Sequence, residues 1–340
     1  MLPKLPREKL LDLYKTMLVM RRFEEALIRV TKSGISVGHF HVYIGQECTG
    51  APALSLLGSR DTVFTTHRNH GHLLARGADP GKLMAEIFGK ATGYNKGKGG
   101  TLHTTAGELG FLTTSAIVGG VIPLATGAAF AAKERKTRGA SMCLFGDGAL
   151  EEGVVHESFN LAALWSLPVV YLCENNSFGA PGQKAGEYSS STIAARSLLS
   201  LATPYGIPAV SVDGTDAGAV HQAVQKALAR ARKGQGPVFI EAKTFRWPGS
   251  RPVWPELLTG ETDLKRAWDL KAIPKQYADW HRKKDGVLRF TRELLKSRRA
   301  TPEEILEMDR EAQARNEQAV RFALDSPEPK PEAALEDVFA

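Results

Sequence analysis

The sequence has little sulfur, no long apolar run and no leader-like start, and each absence removes a class of protein. Three cysteines occur in 340 residues, Cys48, Cys143 and Cys173, unevenly spaced and all within apolar segments. That is neither a disulfide framework nor a zinc-ligand pattern, so they read as buried thiols in a reducing compartment. No stretch approaches the roughly 18 consecutive apolar residues of a membrane helix. The opening "MLPKLPREKLLDLYK" lacks the apolar core of a signal peptide, which argues against export and for a cytoplasmic location. Basic clusters such as "ERKTR" (134–138), "WHRKKDG" (280–286) and "KSRRA" (296–300) supply much of the formal charge of +7. No nucleic-acid motif accompanies them. They read first as solvated helix faces, with a general pull on an anionic cofactor, substrate or acidic partner.

What is present is an alternation. Strand-like "SMCLF" (141–145), "VVYLC" (169–173), "AVSV" (209–212) and "PVFIEA" (237–242) are separated by helical patterns at 151–165, 192–202 and 216–232. Strands alternating with helices predict an α/β fold, a parallel sheet flanked by helices. Upstream, residues 7–32 carry apolar side chains at helical spacing, and a second helix runs from Gly45 to about Leu57. "DTVFTT" (61–66) reads as a strand, and Asp79-Pro80 as a capped helix start. The Gly- and Thr-rich stretch 89–116 shows little regular pattern and is too long for an ordinary connection, which marks it as functional. A small-residue helix follows at 119–136. Beyond 261 the chain is helical and charged, clearest at 301–324, and the tail "DSPEPKPEAALEDVFA" reads as extended and available to a partner. The organisation expected is a helical region 1–60, an α/β domain 61–245, a loop 246–260 and a helical extension with tail 261–340.

Two of the strand-like runs end on small oxygen-bearing groups, "GDG" (146–148) and "NN" (175–176), one helix apart. Ligands of open α/β sheets sit at such carboxyl ends. Glycines beside Asp147 let a ligand approach the backbone, and a helix starting near Ala149 offers N–H groups to an anion. A carboxylate, an amide oxygen and a backbone carbonyl are hard ligands suited to Mg²⁺ on a diphosphate. Taken singly, Asp147 reads equally as a helix cap and Asn175-Asn176 as a turn.

"GDGALEEGVVHESFNLAALWSLPVVYLCENN" resembles the thiamine-diphosphate signature, and more closely the α subunit of the two-subunit 2-oxo acid dehydrogenase E1 enzymes. "HVYIGQE" (41–47), "THRNHG" (66–71), "NKGKGGTLH" (95–103) and "AIVGGVIPLATGAA" (116–129) match the same group in the same order. The resemblance implies the diphosphate-binding half of the thiamine-diphosphate fold, with helical extensions at both termini. It implies that Asp147, the Asn176 side chain and the backbone oxygen of Phe178 hold Mg²⁺. It also implies that Gly146, Gly148 and Ala149 meet the diphosphate, and that Arg68, beside His67, reaches its phosphates, as does Arg246 of the loop. Ala116, Ile117 and Val118 would face the aminopyrimidine, His41 would contact the 2-oxo acid, and His70 would be a second catalytic histidine. His103 lies in a motif as well.

The family's active-site loop normally carries a histidine near the diphosphate that helps acyl transfer to lipoamide. Here "TFRWPGSRPVW" (244–254) keeps Arg246 but has Ser250 at that position, with Pro248 stiffening the loop. His39 stands where an aromatic is more usual. The glutamate that activates the pyrimidine belongs, in this group, to the β subunit, and Glu47 of "GQE" is expected to be structural. The resemblance therefore implies half of an α₂β₂ enzyme that decarboxylates a 2-oxo acid, pyruvate by default. The acyl group would pass to the lipoamide of an acyltransferase (E2). An acyloin carboligase or non-lipoyl acyl transferase on the same scaffold is the alternative, since only the loop is altered. A silent subunit would have lost the metal residues, and a nicotinamide enzyme would need a strand before "GKGG".

Overall fold

Six strands pair in one all-parallel sheet in the computed structural model, which describes residues 2–35, 38–176, 193–246, 260–269, 271 and 273–337. They are β1 (Thr62–Thr66), β2 (Phe111–Ser115), β3 (Ser141–Gly146), β4 (Val169–Asn175), β5 (Ala209–Asp213) and β6 (Val238–Lys243). Their spatial order is β2-β1-β3-β4-β6-β5. Every residue of β4 is buried, as a central strand covered on both faces requires. The two-residue side-chain period then divides the sheet between two cores. Val63, Met142, Leu144, Val170, Leu172 and Ile240 enter one. Phe64, Cys143, Phe145, Tyr171, Cys173 and Phe239 enter the other.

Helices α1 (Arg7–Lys32), α2 (Glu47–Leu54), α3 (Asn69–Ala75), α4 (Pro80–Ile87), α7 (Ala217–Arg232), α8 (Gly286–Lys296) and α9 (Pro302–Asp325) feed the first core. The second core is covered by α5 (Val121–Glu134) and α6 (Gly153–Leu164). Connections that step one way across the sheet, β2 to β3 and β3 to β4, run over the second face. Those that step back, β1 to β2 and β5 to β6, run over the first. That division is what a single crossover hand demands. It also means that the chain leaves β1 and β3 in opposite directions, which opens a crevice at their carboxyl ends.

The first core is extended by α1, which packs along α9 and is fastened to α2, to the start of α8 and to α9 by buried ion pairs. Arg21 donates to Glu47 at 2.6 Å and to both oxygens of Asp285 at 3.0 and 3.1 Å. Its neighbour Arg22 donates to both oxygens of Asp309 at 2.7 Å and to Glu25 at 2.6 Å. A guanidinium fork satisfies two carboxylates at once, which makes arginine tolerable inside this helical layer. Glu47 is thereby committed to the scaffold, as the resemblance implied.

Three expectations fail in detail. Strand β2 lies within the stretch 89–116, invisible because Thr-rich "FLTTS" has no apolar alternation and sits on the sheet edge. The helix expected over 192–202 is absent among its described residues, where a short 3-10 turn runs from Leu198 to Leu201 and another from Thr203 to Tyr205. Pro204 lacks the N–H to extend a helix and Gly206, at φ +71°, reverses the chain. The C-terminal tail docks on its own chain. Ala91 N donates to Pro327 O, Thr92 pairs with Ser326, and Lys96 pairs with Asp337 at 2.8 Å. Among the described residues no helix is long and apolar enough to cross a membrane. All three cysteines are free and buried.

Candidate active site

The crevice at the reversal of strand order is a cleft of about 420 Å³. Thr66, His67 and Arg68 reach it from the end of β1, and Ser115, Ile117 and Val118 from the end of β2. Gly146 to Ala149 follow β3, Glu174 and Asn176 close β4, and Arg246 follows β6. Register explains the convergence: Gly146 pairs with Glu174, so the chains leaving β3 and β4 do so side by side.

Asp147 and Asn176 are both buried at this junction. The Asn176 amide donates from Nδ2 to Gln46 Oε1 at 2.9 Å, which directs Oδ1 away from that partner. Its neighbour Asn175 is used differently, donating to Glu241 at 2.7 Å and accepting from Thr244 N at 2.9 Å. Gly146 has ordinary extended angles, and a Cβ placed on it would meet open space. Nothing in the protein fold therefore demands glycine there, and the bare backbone leaves room for a ligand. The helix after Asp147 starts later than expected. Residues Asp147–Glu151 form a 3-10 turn, Glu152 is extended, and α6 begins at Gly153. The leading N–H groups of such a turn have no acceptor within it, and Gly148 occupies that position beside the cleft.

Across the cleft two arginines, Arg68 and Arg246, face Asp147, Glu151, Glu152 and Glu174 of the same lining. Arg68 is buried, and its guanidinium donates to Val42 O at 2.8 Å. Burial, then the charge of Arg246, push it down to about 9, against the weaker attraction of Glu24 and Glu174. A charged guanidinium in that setting is favoured by an anionic ligand. Burial first and Arg68 second also drive His67 down to about 3 and His41 to about 4. The two rings meet edge to face, 4.5 Å between centroids, as neutral imidazoles.

A buried, arginine-bearing wall at a strand-order reversal suits an anionic ligand such as a phosphate, and comparison with known proteins gives the family. Residues 15–251 match the family described as Dehydrogenase E1 component. The chain belongs to that family. The α subunit of acetoin:2,6-dichlorophenolindophenol oxidoreductase from Bacillus subtilis (strain 168) is 38% identical over 335 residues, covering 98% of this chain and 95% of the relative. The pyruvate dehydrogenase E1 component α subunit of Porphyra purpurea is 36% identical over 332 residues, covering 96% and 91%. That of Zymomonas mobilis subsp. mobilis is 41% identical over 246 residues, covering 72% and 68%. E1 components depend on thiamine diphosphate, and their α subunits work with a β subunit.

Of the residues assigned from sequence, this E1 cleft gathers His67, Arg68, Ile117, Val118, Gly146, Asp147, Gly148, Ala149, Asn176 and Arg246. Ala116 and His41 stand just outside its lining, both half-buried. His70 does not reach it. Its ring is fully buried, with Nδ1 3.2 Å from both Glu24 oxygens and Nε2 2.7 Å from Thr101 Oγ1, so it ties α3 to α1 and to the 95–103 segment. His39 and His103 are exposed. Phe178, Pro248 and Ser250 lie outside the described residues. Among those described, no cluster of three His, Cys, Asp or Glu side chains forms a metal site, so a cation here would need amide or backbone oxygens beside Asp147.

Sequence reasoning missed Glu174 and Gln46. Glu174 lines the cleft floor, accepts from the Tyr43 hydroxyl and lies 3.3 Å from His72 Nε2, whose Nδ1 is 2.7 Å from Thr65 Oγ1. The one available signal was a carboxylate ending the otherwise apolar run of β4. Gln46 sat within the "HVYIGQE" block, but nothing there pointed to its partner Asn176, 130 positions away.

Proposed function

We propose that this chain is the α subunit of an E1 enzyme that oxidatively decarboxylates a 2-oxo acid, pyruvate first, with thiamine diphosphate held through Mg²⁺ in the cleft. The observation that carries the reading is the pairing, in one cleft, of the Asp147/Asn176 junction with a buried guanidinium wall. Asp147 and Asn176 Oδ1 supply hard oxygens for the cation. Gly148 and Ala149 offer backbone, and Arg68 and Arg246 answer the phosphate charge. When bound, the thiazolium supplies the electron sink that lets carbon dioxide leave a 2-oxo acid.

This chain's own residues bind, orient and exclude water. His41 and His67 enter as neutral donor–acceptors beside the guanidinium wall, suited to bonding a substrate carboxylate without competing as cations. Ile117 and Val118 stay 69% and 52% exposed at the rim, and Phe130 on α5, Leu164 at the end of α6 and Trp165 just past it, its ring tilted against Phe130, are exposed as well. Such unpartnered apolar groups support a β subunit that covers the rim and completes the site with its own carboxylate. A lipoyl acyltransferase is the proposed acceptor of the acyl group.

The name of the Bacillus relative suggests one second reading, oxidation of acetoin on the same scaffold. Coexpression with the β subunit, followed by turnover of pyruvate and of acetoin with an artificial oxidant and with a lipoyl domain, separates them. Pyruvate turnover with both acceptors is expected. Activity on acetoin alone would sink the first reading, and unchanged cofactor binding by Asp147→Ala would sink both.

A further inference from the structure

We infer that Gln46 is a positioning residue for the cation, turning the Asn176 amide so that Oδ1 and not Nδ2 faces the metal. The inference rests on the Mg²⁺ reading above and concerns a residue that does not line the cleft.

An asparagine amide has a right end and a wrong end for a cation, and little distinguishes them in shape. Here Nδ2 of Asn176 is occupied by Gln46 Oε1 at 2.9 Å, in a buried pair. The arrangement leaves a cost elsewhere. Gln46 is fully buried, and its Nε2 finds no partner among the described residues. Turning both amides over would let Nε2 donate to Asn176 Oδ1 and satisfy that donor. It would also aim Nδ2, a positive dipole end, at the cation. The pair thus has two arrangements, one that suits Gln46 and one that presents oxygen to the cleft. A buried donor without a partner costs about 1–3 kcal/mol. Binding of a cation to the presented oxygen offsets that cost.

Gln46 cannot escape the choice by moving. Its backbone precedes α2 and donates to Tyr43 O at 3.1 Å. On one side Gly45 sits at φ +99°, so close to the segment after β6 that a Cβ would lie 2.0 Å from Phe245 O. The Thr244 hydroxyl donates to Gly45 O at 3.1 Å. On the other side Glu47 is held by Arg21 and by Gly45 N. The side chain between these anchors is left with rotation of its terminal amide and little else.

The test uses the assembled α/β enzyme with thiamine diphosphate, and Mn²⁺ affinity read by electron paramagnetic resonance. Gln46→Leu removes the acceptor and should weaken Mn²⁺ by about 10- to 100-fold, the usual effect of losing a partner behind a metal ligand. Gln46→Glu keeps acceptors and loses the competing donor, so its affinity should stay within about threefold of wild type. In an Asn176→Asp background both ligand oxygens are equivalent, and adding Gln46→Leu should then change Mn²⁺ affinity by less than about threefold. An equal loss from Gln46→Leu in both backgrounds would make the residue merely structural and overturn the inference. So would an unchanged affinity in the Asn176 background. If wild-type enzyme itself failed to bind Mn²⁺ with the cofactor, the functional reading would fall first.

Discussion

Replacing Arg68 by methionine should separate cofactor binding from folding. The side chain is buried at the end of β1, with one guanidinium bond to Val42 O at 2.8 Å and Arg246 as its charged neighbour in the cleft. Removing it leaves the Val42 carbonyl unanswered, a loss of about 1 kcal/mol, and relieves a buried like-charge contact that works the other way. Stability without cofactor should therefore change by no more than about 1 kcal/mol. The bound state loses charge-assisted bonds to phosphate of about 1.5–3 kcal/mol, with nothing to oppose the loss. At 1.4 kcal/mol per tenfold, that is a dissociation constant for thiamine diphosphate raised by about 10- to 150-fold. Calorimetric titration at saturating Mg²⁺, with melting curves with and without cofactor, measures both quantities on the assembled enzyme. The melting point without cofactor should hold while the cofactor-induced rise collapses. A melting point lowered by many degrees with unchanged affinity would mean that Arg68 is a structural cation, and the anion argument would be refuted.

Arg21→Met should cost about 3–5 kcal/mol, because Glu47 and Asp285 remain buried without their shared partner; a melting midpoint unmoved by several degrees would count against it. Gly45→Ala should destabilise by at least about 1–2 kcal/mol through its positive φ alone, and further through the clash with Phe245 O, as a denaturant titration would register. Acid should weaken the cofactor-free protein in a defined window. His41 and His67 in the unfolded chain take up protons near 6.5, while in the fold they wait until about 4 and about 3. Their stabilising contribution is complete above roughly 6.5 and is lost as pH falls from there towards 4 and below. The double replacement His41→Asn/His67→Asn should flatten that part of the stability–pH curve, and an unchanged slope would exclude these rings as its source.

The contrast between Asp147 and Gln46 explains how much could be read beforehand. Asp147 and Asn176 each end an apolar run, and a parallel sheet brings successive strand ends together, so local pattern and topology agree. The motif blocks pointed to the right family because each is a contiguous stretch, and those at 66–71, 116–129 and 146–176 contribute residues to the cleft. His70 misled because it shares a motif with Arg68, although α3 turns it from the cleft into a contact with Glu24. Strand β2 escaped because an edge strand of threonines gains its pairing from β1 and not from any pattern of its own. Gln46 and Glu174 act through side chains fixed by segments more than a hundred positions away. No window along the chain contains both halves of those contacts.

That division has a consequence for how this E1 chain completes a site. In the proposed reading its strand ends hold a cation and a diphosphate, and the groups there are fixed by register, by the buried bond from Asn176 to Gln46 and by the burial of Arg68. On the side formed after β2 the wall is different: Ile117 and Val118 project from a short segment with apolar side chains turned to solvent. On that reading, grip on the tail of the cofactor is intrinsic to this subunit. Enclosure of its reactive end needs a surface that the described residues lack, and an α chain alone should hold the diphosphate more readily than it turns over substrate. Binding of thiamine diphosphate to the isolated chain, with no decarboxylation until the β subunit is added, is the behaviour this geometry requires.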